Sequence, residues 1–276
     1  MMITLIHTRL PAGRQLRRTA CAALALVALT AGATPWETVS TGLFTEAHTA
    51  FVETGKTAEG AELRLNRYGE AIALLNVQPR TQSNIDKAAG ILDEVYKAAP
   101  GDDLGFEARY MLGRVEQSQR STPDLAKADQ IFSELIERNP AHPVAQRAQA
   151  KLAIIRLYGQ MDEAERRRRY DTFTAISHKL TDPGAKTQLH LLLGEFAQRF
   201  NYGNEEDFAH TLAADKSGVI RRTLRVQVLA RIGDLARLTG RKEVARDYYS
   251  RFLEQFPRTD RRTTIEGYLA DLNSSK

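Results

Sequence analysis

The sequence is almost without cysteine, because Cys21 is the only one in 276 residues. A fold held by intramolecular disulfides is therefore excluded. A cysteine that carries a lipid anchor is expected after the apolar run of a leader segment, whereas Cys21 precedes most of such a run. The sequence therefore argues against a lipoprotein.

Long apolar runs are also missing from most of the chain. No uncharged apolar run of 18 residues occurs after the first 33 residues, so no internal membrane span is predicted. The chain is 42% hydrophobic and 26% charged, which favours a folded body over disorder. We expect no stable membrane insertion once the N-terminal segment is removed.

The N-terminal segment, residues 1–33, has no acidic residue and a three-part pattern. A basic stretch ends at Arg17 and Arg18, an apolar run follows from Ala20 to Leu29, and small residues end at Ala33. This order is typical of a secretory signal peptide, with cleavage after Ala33. It predicts an exported protein of the periplasm or cell envelope, with secretion as an alternative. Whether the segment is cleaved or kept as an anchor is left open by the sequence.

The net positive charge has its origin in the same segment. The formal charge is +5, and the segment holds four arginines, so the remaining chain has 35 basic against 34 acidic residues. A protein that binds nucleic acid needs many cations against the phosphates. We therefore predict no nucleic-acid partner.

Motifs of catalysis, metal binding and phosphate binding are missing. No two histidines have the two- to four-residue spacing of metal ligands, and there is no glycine-rich phosphate loop or nucleophile elbow. His190, beside Leu189 and Leu191, is interpreted as a partly buried structural residue. We expect no catalytic residue, no metal ligand and no cofactor, and thus a protein that is not an enzyme.

What the sequence does contain is helical periodicity and an internal repeat. Apolar residues recur at three and four positions along most of the chain, which predicts an all-α fold. One stretch repeats at a spacing of 40 residues. Its members Lys87, Ala88, Ile91, Leu92, Glu94, Val95 and Pro100 match Lys127, Ala128, Ile131, Phe132, Glu134, Leu135 and Pro140. A period of this length indicates stacked helical units.

The clearest unit runs from Val226 to Pro257. Its spaced residues are Leu229, Ile232, Gly233, Ala236, Ala245, Tyr249, Phe252 and Pro257. This pattern resembles the tetratricopeptide repeat (TPR), in which two short antiparallel helices pack across small residues. The resemblance implies an α-solenoid of stacked antiparallel helical hairpins, a TPR-like superhelix. The aromatic residues before Pro257 are similar to repeats in bacterial envelope-assembly proteins.

The predicted domain organisation is a signal peptide at 1–33 followed by one TPR-like domain at 34–276. Within that domain, the repeats are clearest at about 84–160 and 219–257, and residues 161–218 are irregular. Residues 34–40 are expected to form an exposed lead-in. A helix at 261–273 is expected to cover the open end of the stack.

A run of four arginines, Arg166 to Arg169, lies in the irregular region. Four consecutive residues of a helix point to different sides, so they form no single phosphate-binding face. We interpret the run as a solvated helix whose arginines pair with Asp162, Glu163 and Glu165 nearby. A contact with an anionic lipid or polymer is the alternative.

The resemblance implies a function in holding a protein or peptide partner. In TPR-type proteins the first helix of each hairpin lines the concave surface. The matching polar or amphipathic positions here, and so the predicted partner-binding residues, are Glu107, Tyr110, Arg114, Arg147, Gln227 and Asp234. The alternative is an envelope enzyme or polymer-handling protein with its site in residues 161–218.

Overall fold

A computed structural model describes residues 33–274, and most of the predicted signal peptide lies outside them. The described residues contain thirteen α-helices and no strand, which confirms the predicted all-α fold. The contacts divide the chain after Arg80 into two units, and each is treated by itself.

The first unit contains three helices, α1 (Pro35–Ser40), α2 (Phe44–Gly55) and α3 (Gly60–Leu74). The predicted exposed lead-in at 34–40 is a capped helix without a fully buried residue. The Thr34 hydroxyl accepts from the backbone N–H of Glu37, and the Glu37 carboxylate accepts from the N–H of Thr34. Pro35 occupies the first turn, where it loses no helical hydrogen bond.

The second unit contains ten helices in sequence order. They are α4 (Gln82–Ala98), α5 (Asp103–Arg114), α6 (Leu125–Arg138), α7 (Pro143–Leu157), α8 (Glu163–Lys179), α9 (Pro183–Arg199), α10 (Asn204–Ser217), α11 (Arg222–Leu238), α12 (Lys242–Gln255) and α13 (Arg262–Ser274). Four of these helices have an aspartate as the N-cap residue: Asp102, Asp124, Asp162 and Asp182. Each carboxylate accepts a hydrogen bond from the backbone N–H three residues later, which has no partner within the helix.

Small residues and aromatic rings form the hairpin contacts. Gly113 of α5 faces the ring of Phe132 on α6, and Gly233 of α11 faces the ring of Tyr249 on α12. Within the second unit each helix packs on the next, and the first helix α7 also packs on the first helices α5 and α9 of the neighbouring hairpins. This stacking confirms the predicted TPR-like solenoid for residues 81–274.

The connection between α5 and α6 contains an unusual turn. Helix α5 continues into a π-helical turn, Val115–Gln119, and a loop then leads to Asp124. Glu116 of this turn is buried, and it accepts from Arg120 and Lys127 at 2.6 and 2.8 Å. Arg120 also pairs with Asp86 of α4, which fixes the turn against the preceding helix.

The C-terminal part of the region predicted to be irregular, 161–218, contains a regular helix. Helix α10 begins at Asn204 and continues to Ser217. It ends at Gly218, whose φ of +102° favours glycine. The helix predicted at 261–273 is present as α13, Arg262–Ser274, and the side chain of Asn273 within it accepts from Arg246.

Ion pairs join each hairpin to the next along the stack. Arg147 of α7 pairs with Glu107 of α5, and Arg167 of α8 pairs with Glu206 of α10. Further along, Arg251 of α12 pairs with Asp215 of α10. Hairpins that are neighbours in sequence are therefore matched to one another by charge.

Candidate functional site

Three of the six predicted partner-binding residues lie together on α5 and α7. Glu107 and Arg147, which are 40 residues apart, form a half-buried ion pair. The Arg147 guanidinium lies 5.3 Å from the centre of the Tyr110 ring, a cation–π contact. Tyr110 itself is only 7% exposed, because its ring packs against Phe132. The cluster therefore offers a partner mainly the charged groups of Glu107 and Arg147.

Arg114, the fourth predicted residue, lies at the end of α5 beside an open groove of about 440 Å³. We call this the Arg114 groove. Its lining comes from α5, the π-helical turn and the adjacent parts of α6 and α7: Arg114, Gln117, Ser118, Leu125, Lys151, Ile154, Ile155, Tyr158 and Gly159. The lining combines apolar side chains with two cations and includes no carboxylate.

The two cations of this groove are close enough to affect one another. Burial lowers the pKa of the Lys151 ammonium, and the positive charge of Arg114 lowers it further. Within residues 33–274, neither Arg114 nor Lys151 takes part in an ion pair with a carboxylate. The groove therefore carries uncompensated positive charge.

The remaining two predicted residues lie elsewhere, on α11. Gln227 is exposed, and Asp234 is partly buried. Asp234 accepts from the Tyr249 hydroxyl and from Arg261, both at 2.7 Å, so its carboxylate connects α11 to α12 and α13. The structure does not bring these two residues together with the four on α5 and α7.

A larger groove of about 640 Å³ runs between α6, α7 and α8. Its lining has three carboxylates and three arginines, and all of these except Glu137 have ion-pair partners within residues 33–274. Arg156 makes two contacts of 2.7 and 2.8 Å with Asp129, and Glu165 accepts from both Arg168 and Arg169. This groove is thus neutralised from within, unlike the Arg114 groove.

The arginine run on α8 is divided among different partners. Arg168 and Arg169 pair with Glu165, as predicted. Arg166 stacks over the Phe200 ring at 4.5 Å. Arg167 pairs with Asp171 and with Glu206 of α10, a contact that the sequence did not indicate.

A buried pair of histidines in the irregular region escaped the sequence analysis. The Nδ1 atoms of His190 on α9 and His210 on α10 lie 3.0 Å apart, so one donates and the other accepts. Both side chains are buried, at 1% and 4% exposure. Burial lowers the pKa of each to about 4. The pair is 20 residues apart in sequence and meets only across the α9–α10 hairpin, so no local spacing could predict it.

Neither a metal centre nor a membrane span is found in the part of the chain that the structure describes. No group of three or more His, Cys, Asp or Glu side chains there is arranged to hold a metal ion. None of the helices in residues 33–274 is both long and apolar enough to cross a bilayer.

Comparison with known proteins shows a similarity of fold and no sequence relative. No family model matches the chain, and no curated protein matches it. Among solved structures, the chain is similar to a thermophilic TPR protein from Thermus thermophilus, with a TM-score of 0.45 and 16% sequence identity. The match covers 76% of this chain and 98% of that one. The function proposed for this chain therefore rests on its own residues.

Proposed function

We propose that this chain of stacked TPR-like hairpins is an exported scaffold that binds a protein partner in the bacterial cell envelope. The observation that supports this most directly is the open, positively charged Arg114 groove, which continues the line of Glu107 and Arg147 along α5 and α7. Rigid helices that carry polar groups beside exposed apolar side chains are suited to holding a partner.

The proposed location follows from the leader-like pattern of residues 1–33. Intact-mass measurement of the protein from an envelope fraction tests it. We expect the mass of residues 34–276. A mass that retains Met1 to Ala33 in a cytoplasmic fraction contradicts export.

The alternative, an envelope enzyme or polymer-handling protein with its site in residues 161–218, has less support. Such a site needs reactive or binding groups that are open to solvent. In this region the His190–His210 pair is buried, and Arg167, Arg168 and Arg169 are engaged by carboxylates of the same chain. We therefore favour the scaffold.

Crosslinking in cells tests the scaffold function. The tagged full chain is crosslinked, and the attached proteins are identified and quantified by mass spectrometry. We expect the double variant Glu107→Ala/Arg147→Ala to capture its main partner roughly tenfold less, as for loss of an interface residue that contributes about 1.4 kcal/mol. Helicity and melting should hardly change, because a half-exposed ion pair contributes little to stability.

Arg258→Ala serves as the matched control. Arg258 is an exposed cation in the loop after α12, far in sequence from α5 and α7. This variant should capture the partner like the wild type. If the double variant also retains full capture, the partner binds a different surface.

A further inference from the structure

We propose that the Arg114 groove binds an acidic segment of a partner protein, with a carboxylate held between Arg114 and Lys151 and an adjacent apolar side chain against Leu125 and Ile154. This inference rests on the proposed scaffold function and names the chemistry of its partner.

The first observation is the missing counter-charge. The arginines around the groove are neutralised by carboxylates of the chain: Arg109 by Glu134, Arg120 by Glu116 and Asp86. Arg114 and Lys151 have no such partner among the residues described, although they lie close enough to repel one another. A carboxylate from outside removes this repulsion and allows charge-assisted hydrogen bonds to both cations.

The second observation is the apolar surface beside those cations. Leu125 is 48% exposed and Ile154 is 38% exposed, and both line the groove. Apolar surface that stays open to water next to a polar group is typical of binding sites. An apolar side chain next to the bound carboxylate would cover both residues.

The third observation is that the groove is held in shape without a ligand. The Gln117 side chain donates to the backbone carbonyl of Lys151 at 3.1 Å, which connects the π-helical turn to α7. On the other side of the turn, buried Glu116 binds Arg120 and Lys127. A preformed groove lowers the entropy lost when a segment binds.

The size and charge of the groove favour a protein segment over other anions. A volume of about 440 Å³ accepts a few side chains, and two cations match one or two carboxylates. A nucleic acid needs a longer row of cations along its phosphates, and a membrane needs a broad basic surface. The lining of this groove provides neither a long row of cations nor a broad basic surface.

Fluorescence anisotropy with the full chain tests the proposal. The probe is a labelled peptide of alternating Leu and Glu, and the matched probe carries Gln in place of Glu. We expect the Glu peptide to bind and the Gln peptide to bind at least about tenfold more weakly, as for loss of a charge-assisted contact. Arg114→Ala and Lys151→Ala should each weaken the Glu peptide by about tenfold, whereas Arg258→Ala should not.

A measurement on the wild-type chain removes any dependence on variant folding. The pKa of Lys151, followed by NMR of its side chain, should rise when the Glu peptide is added, because a carboxylate stabilises the ammonium form. An unchanged Lys151 pKa, or equal binding of the Glu and Gln peptides, overturns the proposal.

Other occupants give distinct outcomes. The first alternative is that anionic vesicles or a single-stranded oligonucleotide bind through Arg114 and Lys151 and the Glu peptide does not compete with them. This result overturns the proposal of a protein partner. If the wild-type chain self-associates and Lys151→Glu abolishes this association, the groove binds a second copy of the chain. That result also overturns the proposal. If the Glu peptide fails to bind while crosslinking in cells still depends on Glu107 and Arg147, this inference fails and the scaffold function stands.

Discussion

A methyl group on Gly233 would lie 2.5 Å from two carbon atoms of the Tyr249 ring, a distance that side chains do not tolerate. The ring has little freedom to move, because it is fully buried and its hydroxyl donates to Asp234 at 2.7 Å. The approach of α11 to α12 therefore depends on the missing side chain of Gly233.

The first prediction concerns this contact. Gly233→Ala should lower the free energy of unfolding by about 1–3 kcal/mol, because the added methyl group overpacks the hairpin. Denaturant unfolding of the full chain measures the change. The matched control is Gly90→Ala in α4, where a methyl group meets nothing within 4 Å. This control should stabilise the chain by about 0.5–1 kcal/mol, since alanine is the better helix former.

The second prediction concerns an ion pair whose carboxylate is buried and whose arginine is partly exposed. Arg231 of α11 donates to both oxygens of Asp207 on α10 and to the backbone carbonyl of Gly194 on α9. Arg231→Ala should cost about 3–5 kcal/mol, because the buried Asp207 carboxylate loses its cation. Thermal and denaturant unfolding provide the measurement.

The double variant Arg231→Met/Asp207→Leu checks the cause of that loss. It removes both charges together, so it should cost much less than Arg231→Ala alone. Equal losses in the two variants would mean that packing, and not the unpaired carboxylate, determines the effect.

The third prediction is a loss of stability in acid. The pKa of His190 and of His210 is about 4 in the folded chain, below the usual 6.5 of an unfolded histidine. Between these two values the unfolded state binds more protons, so stability should fall as the pH falls from about 6.5 to about 4. The loss should be on the order of 2–5 kcal/mol for the pair, measured by unfolding at a series of pH values.

The surroundings of the pair strengthen this expectation. His178 on α8 and Lys186 on α9 disfavour a charged His190, whereas Glu206 on α10 favours the charged form of His210. The variant His190→Gln/His210→Gln should flatten the pH dependence between 4 and 6.5. His178→Gln, which changes an exposed ring, should leave most of the slope in place.

The fourth prediction separates two roles of Asp234. This residue was predicted to bind a partner, and the structure shows it bound to Tyr249 and Arg261. Asp234→Ala should cost about 1–3 kcal/mol, because the buried hydroxyl loses its acceptor. Hydrogen exchange should increase first in α13, which Arg261 precedes. A variant that keeps its stability but loses its crosslinked partner would instead support the binding role.

The sequence was sufficient to predict the fold because the hairpin contacts depend on local patterns. Gly233, Ala245 and Tyr249 have the spacing that two packed helices need, and their surroundings in the structure agree with it. The helix at Pro35–Ser40 was missed, although Thr34, Pro35 and Glu37 form a recognisable capping pattern.

The candidate site could be predicted only in part. The 40-residue period places Glu107 and Arg147 at equivalent positions, and the structure joins them. The Arg114 groove is lined by Leu125 and Lys151 as well, which lie on α6 and α7. Their position beside Arg114 depends on a π-helical turn that no sequence rule predicts. The histidine pair likewise depends on how two helices face each other.

The ion pair between Glu107 and Arg147 also bears on how a duplicated hairpin would fit into the stack. The two residues hold equivalent positions in successive hairpins, and one is acidic where the other is basic. A tandem duplication of the hairpin that carries Arg147 would place two copies of that arginine against each other, and like charges at this distance repel. Because the site is half-exposed to solvent, this repulsion would be small, and a single change of charge at the junction would remove it.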